Sequence, residues 1–431
     1  RAAELGVNAS VNGIDFGTLR DYRLRVVKTM VGGLAGLLAH RGITVFRANA
    51  AFHADETAPA TSNHIVHLVP SPDQSDILTY HKADVPEPSG PTMDLTATNI
   101  VIATGAKPRP LPGNPFAGAL IDSTQALEVN EFPSSAVIIG AGAIALEFAS
   151  MWNAAGSKVT LLIRKDRVLS AWDRRAGTTL TREPKRHGVN IITRASVTHV
   201  DTGANLGATV HYTREGQDGE QSVWGEIALV AIGRDPITDP AWGVTIDDHG
   251  HVATDAYGRT DKPGVWAVGD VTAGHALAHR AFEQGIVIAE TIAGLNPKPV
   301  DEATVPQIVF SFPEAASVGL TVEQAQARED LIEIKETNYP MLANARMLMS
   351  GTAGSLTIVS GCDAANPDTP RVLGVHMVSQ MASDIIAEAE QLVGNHVPLA
   401  DAARLVHPHP TFSETLGEAL LKADGRPLHT R

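Results

Sequence analysis

A glycine-rich turn between a buried strand and a helix is the feature that most restricts how this chain can fold. The apolar run AVIIG ends at Gly140, the pattern Gly140-x-Gly142-x-x-Ala145 follows, and a helix then extends to about residue 155. The first glycine permits a tight turn, the second lets a phosphate approach the backbone, and Ala145 lets helix and strand lie close. The strand KVTLLI completes a βαβ unit. We predict that its helix N-terminus binds a dinucleotide pyrophosphate, the alternative being a tight turn without a ligand.

The end of the second strand bears on which nucleotide binds. An NAD site usually has an acidic residue about 20 positions beyond the glycines, where it binds the ribose 2′-hydroxyl. Here the strand ends in Ile163, and the cations Arg164, Lys165 and Arg167 follow. Such groups bind a 2′-phosphate. The pattern therefore predicts NADPH, and the alternative is an exposed basic turn on an acidic protein.

Two further apolar runs end in small or acidic residues. The first ends in Ala103-Thr104-Gly105, which would admit a ligand close to the backbone, and the second ends in Gly269-Asp270. A carboxylate at a strand end can accept hydrogen bonds from a ribityl or other polyol chain. A Gly-Asp turn is also common without any ligand, so both interpretations stay open at this point.

The run His407-Pro408-His409-Pro410-Thr411 and the nearby Glu414 form a candidate acid/base site. A proline disfavours helix in the residue before it, so both histidines are predicted to be extended. Glu414 can orient the imidazole of His409, as catalytic histidines require. The alternative is structural, because Thr411 and Glu414 also have the spacing of a capping box for a helix over 415–422.

Composition excludes several classes of protein. The 431 residues include 34 basic and 48 acidic side chains, giving a net charge of −14, which argues against a nucleic-acid or anionic-membrane surface. No apolar run reaches the roughly 18–20 residues of a membrane span, and we expect a cytoplasmic protein. The single cysteine, Cys362, excludes an internal disulfide and any multi-cysteine metal site. Its polar surroundings predict an unreactive loop thiol, and we expect no metal centre.

The remaining patterns indicate an α/β protein with an α+β end. Residues 17–41 have helical spacing of apolar residues, and 53–98 read as several short strands. Strands alternate with helices at 321–328 and 382–394 beyond residue 305. The apolar face of the first helix comprises Leu19, Leu24, Val27, Leu34, Leu37 and Leu38.

In this order, the motifs resemble the pyridine nucleotide-disulfide oxidoreductases, the FAD-dependent family that includes dihydrolipoamide dehydrogenase and glutathione reductase. The resemblance covers nearly the whole chain. Its counterparts are ATG at 103–105, GAGAIALEFA at 140–149, AIGRDP at 231–236, WAVGD at 266–270, VFSFPEAASVGLT at 309–321 and HPHPTFSE at 407–414. It implies two Rossmann-like dinucleotide-binding domains and an α+β dimerisation domain. The implied ranges are 1–112 with 246–298 for FAD, 113–245 for NAD(P), and 299–431 for the interface.

The resemblance also implies a role for individual residues. Asp270, with Gly269, would hold the FAD ribityl chain, and Thr104 and Gly105 would lie beside the flavin. Gly140, Gly142 and Ala145 would cradle the nucleotide, with Glu147 and Gly233 near the nicotinamide. His409, oriented by Glu414, would be the acid/base for a dithiol or disulfide substrate, a lipoyl carrier protein being one candidate. It would act from the neighbouring subunit of a homodimer.

The chain departs from the family pattern at its start. The family's first FAD unit and its two redox cysteines are expected before Arg1, so we expect an N-terminally incomplete dihydrolipoamide-dehydrogenase-like flavoenzyme. The basic residues after Ile163 are closer to the NADPH-using glutathione reductase branch. Two alternatives remain open. One is a cysteine-free flavin NAD(P)H dehydrogenase that reduces a quinone or another nicotinamide, and the other is a non-catalytic remnant.

Overall fold

The computed structural model describes residues 3–10, 12–53, 63–71, 78–80, 92–203 and 207–430. Its first long helix, α1 (Phe16–His40), begins after Asp15, whose Oδ1 accepts the Thr18 N–H at 3.1 Å. The helix agrees with the predicted range, but its apolar face does not pack into a core as the pattern suggested. Leu19, Leu24 and the rest of the face are exposed, except for a half-buried Leu38, and none of the described residues of α1 is buried.

Short strands follow α1. A three-stranded antiparallel sheet has the order β2-β3-β5, β1 pairs with β4, and β6 pairs in parallel with the later strand β17. The first strand begins at Val45, and part of the 53–98 prediction lies outside the described residues. The strands are β1 (Val45–Arg47), β2 (Asn49–Phe52), β3 (His64–Val69), β4 (Leu78–Tyr80), β5 (Met93–Ala97), β6 (Ile100–Ile102) and β7 (Ala106–Pro108).

The predicted βαβ unit forms the centre of a five-stranded parallel sheet of order β11-β10-β9-β15-β8. Its strands are nearly continuous apolar runs because both faces are covered. An antiparallel sheet, β12-β13-β14, packs on one face. The elements are β8 (Leu120–Ile121), α2 (Ser123–Leu127), β9 (Ser135–Ile139), α3 (Ala143–Ala154), β10 (Lys158–Ile163), α4 (Arg174–Arg186), β11 (Asn190–Thr193), β12 (Ala195–Asp201), β13 (Ala208–Arg214), β14 (Gln221–Gly225), β15 (Ile227–Val230) and β16 (Arg234–Pro236).

The chain then returns through β17 (Val265–Ala267) and α5 (Ala278–Ile292) to the C-terminal α+β unit. Its five-stranded antiparallel sheet has the order β18-β19-β22-β21-β20. The elements are β18 (Gln307–Val309), β19 (Glu314–Gly319), α6 (Val322–Gln326), β20 (Leu331–Tyr339), α7 (Ala345–Ser350), β21 (Ser355–Asp363), β22 (Asn366–Ser379), α8 (Ala382–Gly394), α9 (Leu399–Ala402) and α10 (Glu414–Ala423).

Cys362 corrects one prediction. It lies in β21, not in a loop, and its side chain is completely buried, since all but the last residue of this strand is buried. The polar residues around Cys362 suggested a loop, but a central strand covered on both faces can contain serines and glycines, whose backbones pair with the adjacent strands. Burial raises the pKa of the thiol. The inference of an unreactive thiol is therefore retained, for a different reason.

The fold class agrees with the sequence analysis, whereas the domain boundaries stay predictions. The parallel sheet falls within the predicted range 113–245 and the C-terminal sheet within 299–431. These two units touch at α4. Asp173, 2% exposed, caps that helix by accepting the Ala176 N–H at 2.8 Å, and the Thr357 hydroxyl lies 3.5 Å from the same carboxylate oxygen. Among the described residues, no helix is long and apolar enough to cross a bilayer.

Candidate functional site

The turn from β9 to α3 has the geometry that a phosphate cradle requires. Gly140 has φ +146°, and a Cβ there would lie 2.1 Å from the carbonyl oxygen of Ala231, so this position requires glycine. Gly142 is the N-cap of α3, its φ of −89° is ordinary, and a Cβ there would meet nothing within 4 Å. Ala145 is completely buried between helix and sheet.

This turn opens onto a cavity of about 430 Å³. Gly142 and Ala143 line it, together with residues 169–172 and the segment around His275. No side chain of the described residues caps the first turn of α3, so its amide N–H groups are available to an anion, which the helix dipole also favours. A cradle that only glycine permits, next to a cavity, fits the pyrophosphate of a dinucleotide.

The basic cluster after β10 divides into two parts. Arg164 and Lys165 are exposed at the carboxyl end of the strand, as a 2′-phosphate site requires. Arg167 turns inward instead. Its side chain is 19% exposed, its Nη2 donates to the Ser170 carbonyl at 3.1 Å, and its Nη1 contacts Asp166 at 3.3 Å. The turn that follows the strand therefore holds the Arg167 guanidinium against protein groups, and its role in nucleotide binding stays a prediction.

The other predicted ligand residues meet at one sheet edge. Strands β6 and β17 are parallel neighbours, so residues 103–105 and 268–270 emerge together. Gly269 has φ +77°, and its N–H donates to Gln284 Oε1 at 3.0 Å. Asp270 is half-buried, and its carboxylate has no protein hydrogen-bond partner among the described residues. A half-buried carboxylate without a partner at a strand end fits a polyol ligand such as the ribityl chain of FAD.

A short ladder joins the two nucleotide regions. Strand β7 pairs antiparallel with β16, and just before it the Thr104 hydroxyl donates to the Ile237 carbonyl at 2.7 Å. Gly105, with φ +71°, accepts the Ile237 N–H at 2.9 Å, and Gly233, with φ +126°, accepts the Arg109 N–H at 3.1 Å. The segment after β6 is thereby fixed against the segment after β15. The predicted flavin and nicotinamide residues thus share one hydrogen-bonded framework.

His409 and Glu414 are in contact, as predicted. The Nδ1 atom of His409 lies 3.1 Å from both carboxylate oxygens of Glu414. The same carboxylate accepts the Thr411 N–H at 2.9 Å, and the Glu414 N–H donates to the Thr411 hydroxyl at 3.3 Å. The capping interaction and the histidine contact therefore coexist. The helix begins at Glu414 after Ser413, which makes no side-chain capping bond, so the reciprocal bonds with Thr411 are what hold Glu414 while it orients the imidazole.

A second histidine holds this segment to the body of the protein. His407 Nε2 lies 2.8 Å from Glu388 Oε1 on α8, and its side chain is only 9% exposed. A Cβ at Gly417 would lie 2.3 Å from His407 Nδ1, so α10 needs glycine there. The hydrogen bond to Glu388 raises the pKa of His407 above its ordinary value of 6.5, against the opposing effect of burial. Sequence reasoning did not identify Glu388, because only tertiary packing brings two residues 19 positions apart together.

Comparison with known proteins agrees with this geometry. Residues 5–285 match the model of the pyridine nucleotide-disulphide oxidoreductases, and residues 305–420 match the dimerisation domain of the same family. The chain belongs to the pyridine nucleotide-disulphide oxidoreductase family.

Individual relatives are consistent with the family assignment. Dihydrolipoyl dehydrogenase of Geobacillus stearothermophilus is 31% identical over 99% of this chain and 84% of its own length. The enzyme of the same name from Cupriavidus necator is 37% identical over 78% of this chain and 70% of its own length. The crystal structure of LpdA from Mycobacterium tuberculosis has a TM-score of 0.82 over 98% of this chain and 86% of that one, at 24% identity, and shows the shared fold.

Membership confirms several predictions made from the sequence. The chain is of the oxidoreductase type that acts on a sulfur group, the family uses FAD and NAD, and a dimerisation domain is present. The roles of individual residues remain predictions. Glu147, predicted near the nicotinamide, is half-buried on α3 and accepts the Phe310 N–H at 3.0 Å. It therefore also connects the nucleotide helix to the chain just after β18, a contact that the sequence did not suggest.

Proposed function

We propose that this chain carries the nucleotide sites and the thiol acid/base of a dihydrolipoyl-dehydrogenase-type enzyme. Its substrate would be a dithiol or disulfide, with a lipoyl carrier protein as the candidate partner. The contact of His409 Nδ1 with both oxygens of Glu414, at 3.1 Å, is the observation that supports this most directly. A carboxylate only accepts hydrogen bonds, so Nδ1 carries a hydrogen and Nε2 is free to take a proton.

The residues on this chain bind, orient and exchange protons. The bound FAD and pyridine nucleotide supply hydride and electron transfer. Gly140 and Gly142 let the pyrophosphate reach the α3 amides, and Asp270 would accept hydrogen bonds from the ribityl hydroxyls. His409 would take a proton at Nε2 from a substrate thiol, because the thiolate is the reactive form of sulfur, and would return it in the reverse direction.

We propose further that His409 acts across a homodimer. Its side chain is 73% exposed, and the neighbouring Leu405 and Val406 are 51% and 96% exposed. Apolar side chains at this level of exposure next to a catalytic group are typical of a surface that a partner covers. The dimerisation domain supports the same arrangement. A cytoplasmic location stays a prediction.

The nucleotide preference is a separate proposal. We infer that NADPH is preferred over NADH, because the buried Ile163 stands where an acidic residue would bind the ribose and the exposed Arg164 and Lys165 follow it. An acidic residue in that place would accept hydrogen bonds from a 2′-hydroxyl and repel a 2′-phosphate. The two cations would have the opposite effect.

A second candidate function rests on the cysteine. The only cysteine in these 431 residues is buried inside β21, with the pKa of its thiol raised, so it cannot serve as a redox partner of a flavin. A flavin NAD(P)H dehydrogenase that reduces a quinone would need no cysteine pair. Its activity would also not depend on His409.

One substitution distinguishes the two candidate functions. In the protein that carries these residues, His409→Gln should leave reduction of the flavin by NAD(P)H unchanged and slow dihydrolipoamide turnover by about 10² to 10⁴, the usual contribution of general acid/base catalysis. His249→Gln, an exposed histidine on a turn, is the matched control. Quinone reduction without dithiol turnover, unaffected by His409→Gln, would reject the first function and support the second.

A further inference from the structure

We propose that His199, His211 and Glu220 form a binding site for a borderline transition-metal ion of the Zn²⁺ class, with Asp201 as an outer hydrogen-bond acceptor on the imidazole edges that face away from the ion. The possible ligand atoms of His199, His211 and Glu220 lie within 4.8 Å of one another. None of the four residues belongs to the nucleotide, flavin or acid/base motifs. From the sequence we expected no metal centre, since the chain has no cysteine pair. That absence excludes only thiolate sites, and a site of imidazole and carboxylate ligands needs no cysteine.

The register of a small sheet brings these residues together. His199 on β12 is directly opposite His211 on β13, and on the other side of β13 His211 is opposite Ser222 on β14. Glu220 precedes Ser222 by two positions, and Asp201 follows His199 by two, so all of them project from the same face. The opposite face packs into the core through Val210 and Tyr212 and is held in place. The register is therefore fixed by burial of the other face.

The two imidazole rings are stacked, and each turns the same ring nitrogen toward the same carboxylate. Their ring centroids are 4.1 Å apart and their planes differ by 8°. Both Nδ1 atoms face Glu220, at 3.8 Å from His199 and 3.7 Å from His211. Both Nε2 atoms face Asp201, at 3.9 Å and 3.1 Å respectively. Two histidines thus lie between two carboxylates, with one set of ring nitrogens directed to each.

Two further features of the cluster favour a cation. The Thr198 hydroxyl donates to Glu220 Oε1 at 2.6 Å and so orients that carboxylate, as outer hydrogen bonds do around metal ligands. An imidazole lone pair lies in the plane of its ring, so an ion beside Glu220 would be shared by both Nδ1 atoms once the two rings turn out of their parallel stack. His211 is 22% exposed and His199 46%, so an ion can enter without opening the fold.

The donor set selects the class of ion. Imidazole nitrogen with carboxylate oxygen suits Zn²⁺, Cu²⁺ or Ni²⁺, whereas Mg²⁺ and Ca²⁺ take oxygen ligands almost exclusively. In a tetrahedral Zn²⁺ site with bonds of about 2.0–2.2 Å, donor atoms are roughly 3.3 Å apart. Donors that lie within 4.8 Å of one another would have to close by up to about 1.5 Å to reach that spacing. A bound ion would connect β12 and β13 to the turn before β14.

The test is a metal titration of the full chain. Metal-free protein would be titrated with Zn²⁺ in competition with a chromophoric chelator, and with Co²⁺ for its visible ligand-field bands. We expect His199→Asn, His211→Asn and Glu220→Gln each to weaken the tightest Zn²⁺ site by at least about tenfold and to abolish the Co²⁺ bands. Zn²⁺ should also raise the melting temperature of the wild type and not of His211→Asn.

The control is an exposed histidine with a single carboxylate partner. His67 Nδ1 lies 2.6 Å from Asp94 Oδ1 and belongs to no cluster of three possible ligands among the described residues, so His67→Asn should leave Zn²⁺ affinity unchanged. Equal affinity in the wild type and in the double variant of His199 and His211 would overturn the proposal. Displacement of Zn²⁺ by an equal concentration of Mg²⁺ would also overturn it, because it would mean that the imidazoles are not ligands.

Discussion

Two glycines that are two positions apart in the same turn should lose different properties when each is replaced by alanine, Gly140 mainly folding stability and Gly142 mainly nucleotide binding. Gly142→Ala adds a methyl group at a residue with ordinary φ and nothing within 4 Å, so it should cost at most about 1 kcal/mol of folding stability, mainly from a poorer helix cap. Gly140→Ala forces an alanine into φ +146° and against the Ala231 carbonyl at 2.1 Å. Backbone strain of about 1–3 kcal/mol and overpacking of a similar size should add up.

The effect of Gly142→Ala on binding should be much larger than its effect on folding. The methyl group would occupy the space through which a phosphate reaches the α3 amides. Hydrogen bonds to a charged group contribute about 1.5–3 kcal/mol, so losing one of them should raise the Kd for NADH and NADPH about ten- to hundredfold. The assays are isothermal titration calorimetry for the Kd and urea denaturation for stability.

The control for this comparison is a glycine outside the turn that also has open space around it. Gly32→Ala, on α1, also meets nothing within 4 Å and should leave nucleotide binding unchanged. A folded Gly142→Ala protein that binds both nucleotides as tightly as the wild type would refute the cradle. So would a Gly140→Ala protein of wild-type stability, because the close approach to Ala231 would then not exist in solution.

Two more predictions concern charge. The double variant Arg164→Met, Lys165→Met should weaken NADPH binding, measured by calorimetry, at least about tenfold and change NADH binding little. The control Lys158→Met, at the other end of β10, should change the binding of neither nucleotide. Equal losses of affinity for both nucleotides would contradict the 2′-phosphate assignment. The raised pKa of His407 means that its pair with Glu388 adds stability that is complete below about pH 6.5 and is lost as the pH rises through the raised pKa. Urea denaturation from about pH 5 to about pH 9 should show this slope in the wild type and not in His407→Gln, and an unchanged slope would show that other groups produce it.

Part of the fold could be predicted because its signals are local. A strand, a glycine turn and a helix follow one another at 135–154, so that periodicity and turn chemistry alone define the βαβ unit. The strand ends at Thr104 and Asp270 were recognisable in the same way, and their partnership follows from the parallel pairing of β6 with β17. The contact between His409 and Glu414 spans five residues, within reach of sequence reasoning.

Other features depended on which surfaces cover each other. The helical period of α1 was correct, yet its apolar face is exposed, because periodicity indicates a face and not what packs against it. Cys362 lies in a strand covered on both sides, and polar neighbours concealed that burial. Arg167 belongs to a basic run in the sequence, but the turn after β10 directs its guanidinium to the Ser170 carbonyl.

The sequence by itself determined the family, the order of the nucleotide and acid/base motifs, and the residues at both strand edges, because each depends on short patterns of turn, charge and period. Only the tertiary structure decided which distant side chains meet. His407 finds Glu388 across 19 residues, and strand register places His199 opposite His211. Such contacts depend on packing of whole sheets and helices, in which a shift of one residue would move every side chain of a strand to the other face.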